Sequence, residues 1–422
     1  MSVVKSASIL IPQAVSMEAW SVIACDQFTS ELSYWEETEK NVSGQPSTLN
    51  LILPEVYIGS PFADGAADRI SRTMTEYLEA GLFNEYDGAF IAVERELTDG
   101  KTRRGIVAAI DLEQYEYRPE LEAPLKATEA TVTERLYKRL ELREKASIEL
   151  PHVIIFYNDP EGSIRSCIDG SADVCAALYD FDLMQQGGHV RGRLISGEAA
   201  KRLQKAFDGL EAGAAADGAV MLAVGDGNHS LATAKLSWDK LKLSLSEEER
   251  ENHPARFALV ELEDVFDSGI GIEPIHRVAI GVDSEEFLDC AEQRYAEELG
   301  FGSCCEDREG CYTLVIGSAA GEKKLFSRPG TIIGDVISLT DRIIEDYIAA
   351  HGGKIDFIHD SASAEAIGRE KGNAFILLPT PDRADIFKTV SRHAIFPKKS
   401  FSVGSAREKR YYLECRRIKG QQ

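Results

Sequence analysis

The fold is decided by the residues Ala219-Val-Met-Leu-Ala-Val-Gly-Asp-Gly-Asn-His-Ser-Leu-Ala-Thr-Ala-Lys235. The apolar run from Ala219 to Val224 is typical of a buried strand, and the Ala-rich residues that follow predict a helix. The residues between them, Gly225 to Ser230, then form a short strand-to-helix loop. Such a loop exposes the first N–H groups of the helix. These groups and the positive end of the helix dipole both attract anions. The sequence therefore predicts an anion site at this junction.

The loop carries a carboxylate, an amide, an imidazole and a hydroxyl within six residues. Turn formation and helix capping account for Asp226, Asn228 or Ser230 one at a time. They do not call for His229, whose imidazole can move a proton near neutral pH. We interpret the loop as a functional site, with a purely structural turn and cap as the alternative.

Composition narrows the class of protein. With 422 residues and 44% hydrophobic content the chain can bury a large core and form two or three domains. Its net charge of -23 argues against a general nucleic-acid binder and against docking on an anionic membrane. No secretory leader pattern begins the sequence, and no apolar run approaches the roughly 20 residues of a membrane helix. We expect a cytoplasmic protein, and the sequence leaves open whether it forms a homo-oligomer.

The order of helix and strand patterns predicts an α+β fold in which helices flank mixed sheets. We divide the chain into an N-terminal α+β region (1–145), a core that contains the loop (146–282) and a smaller α+β unit (283–390). The last part, 391–422, is expected to return to the main body because Tyr411 to Cys415 resembles a strand.

Two basic patterns add candidate phosphate ligands. A predicted strand over 187–195 alternates so that His189, Arg191 and Arg193 share one face, which would form a cationic floor for an anionic ligand. Arg135, Arg139 and Arg143 recur at every fourth position of a predicted helix and share a face in the same way. The alternative in both cases is a solvated, ion-paired face.

The sequence resembles the bacterial family known as domain of unknown function 1015 over nearly its whole length. The matching motifs are Ala127–Arg135, Glu149–His152, Tyr179–Asp182, Gly188–Gly192, Gly225–Lys235, Glu273–Arg277 and Lys409–Cys415. Together they are specific for the family and much less specific for an activity.

A more distant resemblance links the Asp-Gly-x-His core of the loop to the ParB and sulfiredoxin superfamily. It implies a strand-loop-helix core that binds nucleotide phosphates, in a superfamily that includes kinases of free serine and CTP-driven switches. Many relatives have His and Arg where this chain has Asn228 and Ser230. Lys235, or the pair Arg191 and Arg193, would then supply the missing positive charge.

These residues suit phosphoryl transfer, which requires positioning and charge neutralisation. The main chain of Gly227, Asn228 and Ser230 could hold a phosphate of ATP or ADP, and Asp226 could bind Mg²⁺. Asp26 and Glu129 are the candidates for a second carboxylate that acts as base or metal ligand. P-loop and nucleophile-elbow motifs are absent, and Ser230 could act as a nucleophile only with a base placed near it.

The leading hypothesis is a nucleotide-dependent phosphotransferase or phosphohydrolase that acts on a small hydroxylated metabolite, with free serine as the first substrate to test. Its partner would be a small phosphorylated ligand. One alternative is a nucleotide-binding regulator without turnover. The other is a metal-dependent hydrolase centred on His189, His229 and Asp226.

Overall fold

A computed structural model of the chain describes residues 2–131, 133–170, 176–302 and 310–420. The chain forms two compact units. Unit 1 contains Met1–Ile270 and Gly404–Gln422, and unit 2 contains Gly271–Val403. The predicted α+β class with mixed sheets is confirmed, since both units combine helices with sheets and the large sheet has parallel and antiparallel pairs. The division into four parts stays a prediction.

The strands follow in chain order. They are β1 (Val4–Lys5), β2 (Ala7–Pro12), β3 (Phe83–Glu96), β4 (Thr102–Asp111), β5 (Tyr115–Glu116), β6 (Leu125–Lys126), β7 (Ile148–Glu149), β8 (Ile154–Tyr157), β9 (Ala177–Asp182), β10 (His189–Ile195), β11 (Leu222–Asp226), β12 (Phe257–Asp264), β13 (Ile272–Pro274), β14 (His276–Ile280), β15 (Thr313–Ser318), β16 (Gly321–Phe326), β17 (Lys354–Ile358), β18 (Asn373–Leu377), β19 (Phe401–Val403) and β20 (Arg416–Arg417).

The α-helices are α1 (Met17–Trp20), α2 (Leu32–Val42), α3 (Ala66–Glu79), α4 (Thr133–Lys145), α5 (Ser163–Asp169), α6 (Gly197–Asp217), α7 (Asn228–Leu241), α8 (Glu247–Asn252), α9 (Ser284–Leu299), α10 (Ile333–His351), α11 (Ser361–Gly368) and α12 (Arg383–His393). No helix in the described ranges combines the length and the apolar character that a membrane crossing needs.

The large sheet of unit 1 has the strand order β5-β6-β11-β8-β12-β4-β3-β10-β9, with β1 beside β4 and β2 beside β3. Its central strands are buried on both faces, so they read as continuous apolar runs in the sequence. On β3, Phe90 packs into a core on the side of α6 and α7, while Ile91 packs into a second core with Trp35 and Tyr411. The helix α7, which follows the loop after β11, packs on the same face of the sheet as Phe90.

Unit 2 is built on a five-stranded sheet of order β16-β15-β18-β14-β17, and β13 pairs separately with β19. The strands β14, β15, β17 and β18 pair antiparallel. Val278 and Phe375 pack with Ala364 of α11 in one apolar cluster.

Local predictions and structure agree where the pattern is long. The runs 89–95 and 103–111, on either side of the turn Thr98-Asp-Gly-Lys101, predict a β-hairpin, and this hairpin is confirmed as β3 and β4. The predicted strand over Tyr411–Cys415 is wrong. That segment makes isolated bridges, from Tyr411 to Ile23 and from Cys415 to Leu10, because its two ends pair with different parts of the chain, the residues after α1 and the strand β2.

Candidate functional site

The strand-loop-helix junction predicted from the sequence is confirmed. The strand β11 ends at Asp226, and α7 begins at Asn228. Gly227 between them has a φ of +82°, and a Cβ atom there would lie 3.1 Å from the Cα atom of Val153. Both the left-handed backbone and the close approach therefore require glycine at this position.

Asn228 connects the loop to the neighbouring segment. Its side chain is buried, and its Oδ1 accepts a hydrogen bond of 3.2 Å from the main-chain N–H of Thr128. The Thr128 hydroxyl donates to the carbonyl of Val224 at 2.6 Å. These bonds bring Glu129, the next residue, to the loop.

Two carboxylates and an ammonium group meet beside the loop. The Nζ atom of Lys409 lies 3.2 Å from Oδ2 of Asp226. Burial raises the pKa of Glu129, the negative charge of Asp226 raises it further, and Lys409 acts in the opposite direction. The site thus has a carboxyl group that holds its proton to higher pH than an ordinary glutamate.

In the first turn of α7, Ser230 faces a histidine. Its Oγ lies 3.1 Å from Nε2 of His152, whose Nδ1 lies 2.8 Å from the Tyr412 hydroxyl. Oδ2 of Asp26 lies 3.6 Å from the same Nε2. Burial alone raises the pKa of Asp26, but the charge of His152 and its hydrogen bond outweigh burial and hold that pKa below its usual range.

A cavity of about 150 Å³ adjoins this group, with Cys25, Arg139, His152, Ser230 and Tyr412 among its lining residues. The remaining wall is mainly apolar. Nη2 of Arg139 pairs with Glu55, while its buried Nη1 has no hydrogen-bond partner among the described residues. Burial raises the pKa of the Cys25 thiol to about 11, so this thiol is a poor nucleophile at neutral pH.

Of the predicted residues, the structure brings Asp226, Gly227, Asn228, His229 and Ser230 together at the start of α7. Glu129 lies beside Asp226, and Asp26 lies beside His152. His229 is the second residue of α7 and is half-buried.

Lys235 lies two turns further along α7, is 5% exposed and pairs with Asp239 at 3.3 Å. Its ammonium group therefore pairs with a carboxylate of the same helix and not with the loop. Its role as a phosphate ligand stays a prediction.

The basic face of β10 lies apart from the loop. Four strands separate β10 from β11, which at a strand spacing of about 4.8 Å is about 24 Å. His189 and Arg191 contact Asp180, and Arg193 lies 3.7 Å from Glu94. The predicted alternation is present, but neighbouring strands supply a carboxylate to each cation.

The arginine pattern on α4 is likewise ion-paired: Arg139 contacts Glu55, and Arg143 contacts Glu149 at 2.9 Å. The side chain of Arg135 lies outside the described residues.

Sequence reasoning missed His152, Tyr412 and Lys409 as site residues. The signal for them was their membership of the motifs Glu149–His152 and Lys409–Cys415, which carry the family resemblance. Nothing in linear spacing relates these positions to Ser230. They reach it because β8 pairs with β11, and because the C-terminal segment, bridged to Ile23 through Tyr411, places the Tyr412 hydroxyl against His152.

Comparison with known proteins identifies the family. The profile described as "Protein of unknown function (DUF1015)" matches residues 10–347, so the chain belongs to that family. A search of curated proteins found no match.

Several solved structures resemble this one at a distance. A conserved hypothetical protein from Pyrococcus furiosus is 14% identical, with 73% of this chain and 90% of that chain covered and a TM-score of 0.30. SbnI from Staphylococcus aureus, truncated at its C-terminus, is 10% identical, with 71% and 82% covered and a TM-score of 0.35. A free serine kinase in complex with AMP is 13% identical, with 73% and 87% covered and a TM-score of 0.33. Likenesses this distant carry no argument about function.

Proposed function

We propose that this protein binds the phosphates of a nucleotide at the start of α7 and transfers a phosphoryl group to a small hydroxylated metabolite. The observation that supports this most is the group formed by Asp226, Glu129 and Lys409 at a helix N-terminus. A helix start and an ammonium group attract phosphate oxygens, and carboxylates suit a metal ion or a base.

Each of the three residues has a proposed role. Lys409 neutralises phosphate charge. Asp226, with phosphate oxygens of the nucleotide, would hold a Mg²⁺ ion that draws charge from the transferred group. Glu129 accepts the proton of the acceptor hydroxyl as the acceptor oxygen bonds to the γ-phosphorus and the bond from that phosphorus to the nucleoside diphosphate breaks. Burial raises the pKa of Glu129, which makes it a better base than an ordinary glutamate.

The grouping of possible metal ligands favours a phosphotransferase over a metal-dependent hydrolase. Within the described ranges, no three His, Cys, Asp or Glu side chains are grouped closely enough to hold a metal ion. His189 also lies on β10, which four intervening strands separate from β11 and Asp226. A magnesium site needs only one or two protein carboxylates when the substrate supplies phosphate oxygens.

The test begins with thermal unfolding in the presence of ATP, ADP, CTP, GTP or phosphate, with and without Mg²⁺. A ligand that binds only the folded protein raises the melting temperature. The nucleotide with the largest shift is then assayed for phosphoryl transfer to hydroxylated metabolites, beginning with free serine, the acceptor implied by the superfamily resemblance.

The Lys409→Met variant should weaken nucleotide binding by about 10- to 100-fold, as expected for the loss of one charge-assisted hydrogen bond. Lys201→Met is the matched control, because Lys201 is exposed on α6, where it pairs with Glu198 at 2.7 Å. Binding without turnover would indicate a regulator. No shift with any nucleotide, or equal binding by both variants, would overturn the proposal.

A further inference from the structure

We propose that Ser230 is a covalent phosphoryl acceptor, activated by His152, so that transfer passes through a phosphoserine on the enzyme. This inference rests on the proposed function, because the nucleotide at the start of α7 supplies the phosphoryl group. The roles proposed for Asp226, Glu129 and Lys409 do not involve Ser230 or His152. The phosphoserine assigns a role to these two residues.

The geometry of the pair is that of a hydroxyl nucleophile and its base. Oγ of Ser230 lies 3.1 Å from Nε2 of His152, within reach for proton transfer. The other ring nitrogen, Nδ1, lies 2.8 Å from the oxygen of Tyr412. That oxygen also accepts from the N–H of Cys25 at 3.3 Å, and a phenol oxygen has lone pairs for both donors.

This arrangement accommodates the tautomer that the reaction needs, with the proton on Nδ1 and a lone pair on Nε2. Asp26 completes the group. Its carboxylate lies 3.6 Å from Nε2 and would stabilise the imidazolium that forms when Ser230 loses its proton.

The position of Ser230 suits phosphate chemistry. It is the third residue of α7, so its hydroxyl lies within the same helical turn as the loop that would hold the nucleotide. A phosphate on Oγ would remain near the positive end of the helix dipole. The adjoining cavity includes Arg139, whose buried Nη1 has no hydrogen-bond partner in the part of the chain that the structure describes and can donate to an anionic oxygen.

Other nucleophiles on the same cavity are less suited. Thr233 is buried, and its hydroxyl donates to the carbonyl of His229 at 2.7 Å. Burial raises the pKa of Cys25 to about 11, so its thiolate is scarce at neutral pH. Ser230 is the one of these three whose hydroxyl lies against an imidazole.

The steps balance as a double displacement. In the first, the Ser230 Oγ–phosphorus bond forms, the bond from the γ-phosphorus to the β,γ-bridging oxygen breaks, and the serine proton moves to Nε2 of His152. The products are phosphoserine and a nucleoside diphosphate. In the second, the acceptor oxygen bonds to phosphorus, the Oγ–phosphorus bond breaks, Glu129 takes the acceptor proton, and His152 returns its proton to Ser230.

The test uses the full chain with Mg²⁺ and the nucleoside triphosphate that gives the largest thermal shift, labelled in its γ-phosphate, without an acceptor. We expect label on the protein at Ser230, located by peptide mass spectrometry. A phosphoserine is stable to acid and to hydroxylamine, unlike a phosphohistidine or an aspartyl phosphate. Addition of the acceptor should release the label as phosphorylated acceptor.

Ser230→Ala should keep the nucleotide-induced thermal shift and lose the label entirely. His152→Gln should slow labelling by about 100-fold or more, the usual contribution of a general base. Ser237→Ala is the matched control, since Ser237 lies two turns along the same helix, and it should label like the unaltered protein.

The outcomes separate the two proposals. If the protein binds nucleotide and phosphorylates an acceptor but never carries label, or if Ser230→Ala turns over at the original rate, the phosphoserine is overturned and the proposed function stands. Label at His229 or Asp226 overturns it equally. If neither nucleotide binding nor label is found, both proposals fail.

Discussion

Replacing Arg410 with methionine tests what holds the C-terminal part of the site in place. The Arg410 side chain is 3% exposed and lies between two buried carboxylates. It donates 2.6 Å hydrogen bonds to Oε2 of Glu261, to Oε2 of Glu414 and to the carbonyl of Pro151. Burial alone lowers the pKa of Arg410, but the charges of Glu414 and Glu261 outweigh burial and raise the pKa above its usual range.

The size of the effect follows from these contacts. Methionine fills much of the volume of the arginine stem but leaves two buried carboxylates without their cation. Breaking a buried ion pair from one side costs about 3–5 kcal/mol. For a unit of this size that corresponds to a fall in melting temperature of about 5–8 °C. Because Lys409 is the adjacent residue, nucleotide binding should weaken as well.

The assay is calorimetric unfolding at pH 7 of the unaltered protein, Arg410→Met, and the triple variant Arg410→Met, Glu261→Gln, Glu414→Gln. The triple variant should regain at least half of the lost stability, since neutral amides need no cation. A loss below about 1 kcal/mol in Arg410→Met, or a triple variant no more stable than the single one, would refute the reasoning.

Three further results are expected. Burial raises the pKa of Glu263 to about 8, so proton binding favours the folded state. The free energy of unfolding should therefore fall by about 2 kcal/mol from pH 6 to pH 8. Urea titrations of Glu263→Gln should lack this dependence on pH, and an equal dependence would contradict the assignment. Asn228→Ala leaves the buried N–H of Thr128 without its acceptor and should cost about 1–3 kcal/mol in the same titration, whereas an unchanged midpoint would indicate that the bond is dispensable. Because the pKa of Cys25 is raised to about 11 from 9.0, iodoacetamide should alkylate it at pH 8 about 100-fold more slowly in the folded than in the unfolded chain, and equal rates would show that burial does not control this thiol.

The sequence was sufficient for features that depend on neighbouring residues. The loop after β11, the glycine that it needs and the helix that follows were all predictable, because strand, turn and helix patterns are local. Asp226 and Ser230 were found for this reason, and Glu129 and Asp26 were chosen as polar positions beside apolar sequence. The boundaries differ, since the predicted strand runs from Ala219 to Val224 whereas β11 runs from Leu222 to Asp226, and α7 begins at Asn228, within the predicted loop.

Features that depend on the pairing of distant segments were not predictable. The alternation of β10 correctly placed His189, Arg191 and Arg193 on one face. Asp180 and Glu94 become their partners through the pairing register of β10 with β9 and β3. That register is not apparent from the sequence. In the same way, nothing local relates His152 to Ser230, 78 residues away.

The last segment of unit 1 has a consequence for the synthesis of the protein. Residues 404–422 supply Lys409 and Tyr412, and they follow the whole of unit 2 in the chain. A ribosome must therefore translate 133 residues of the inserted unit, Gly271–Val403, before the site acquires its lysine and its tyrosine. A chain whose translation ends before residue 409 therefore contains the loop after β11 without the lysine that lies beside Asp226.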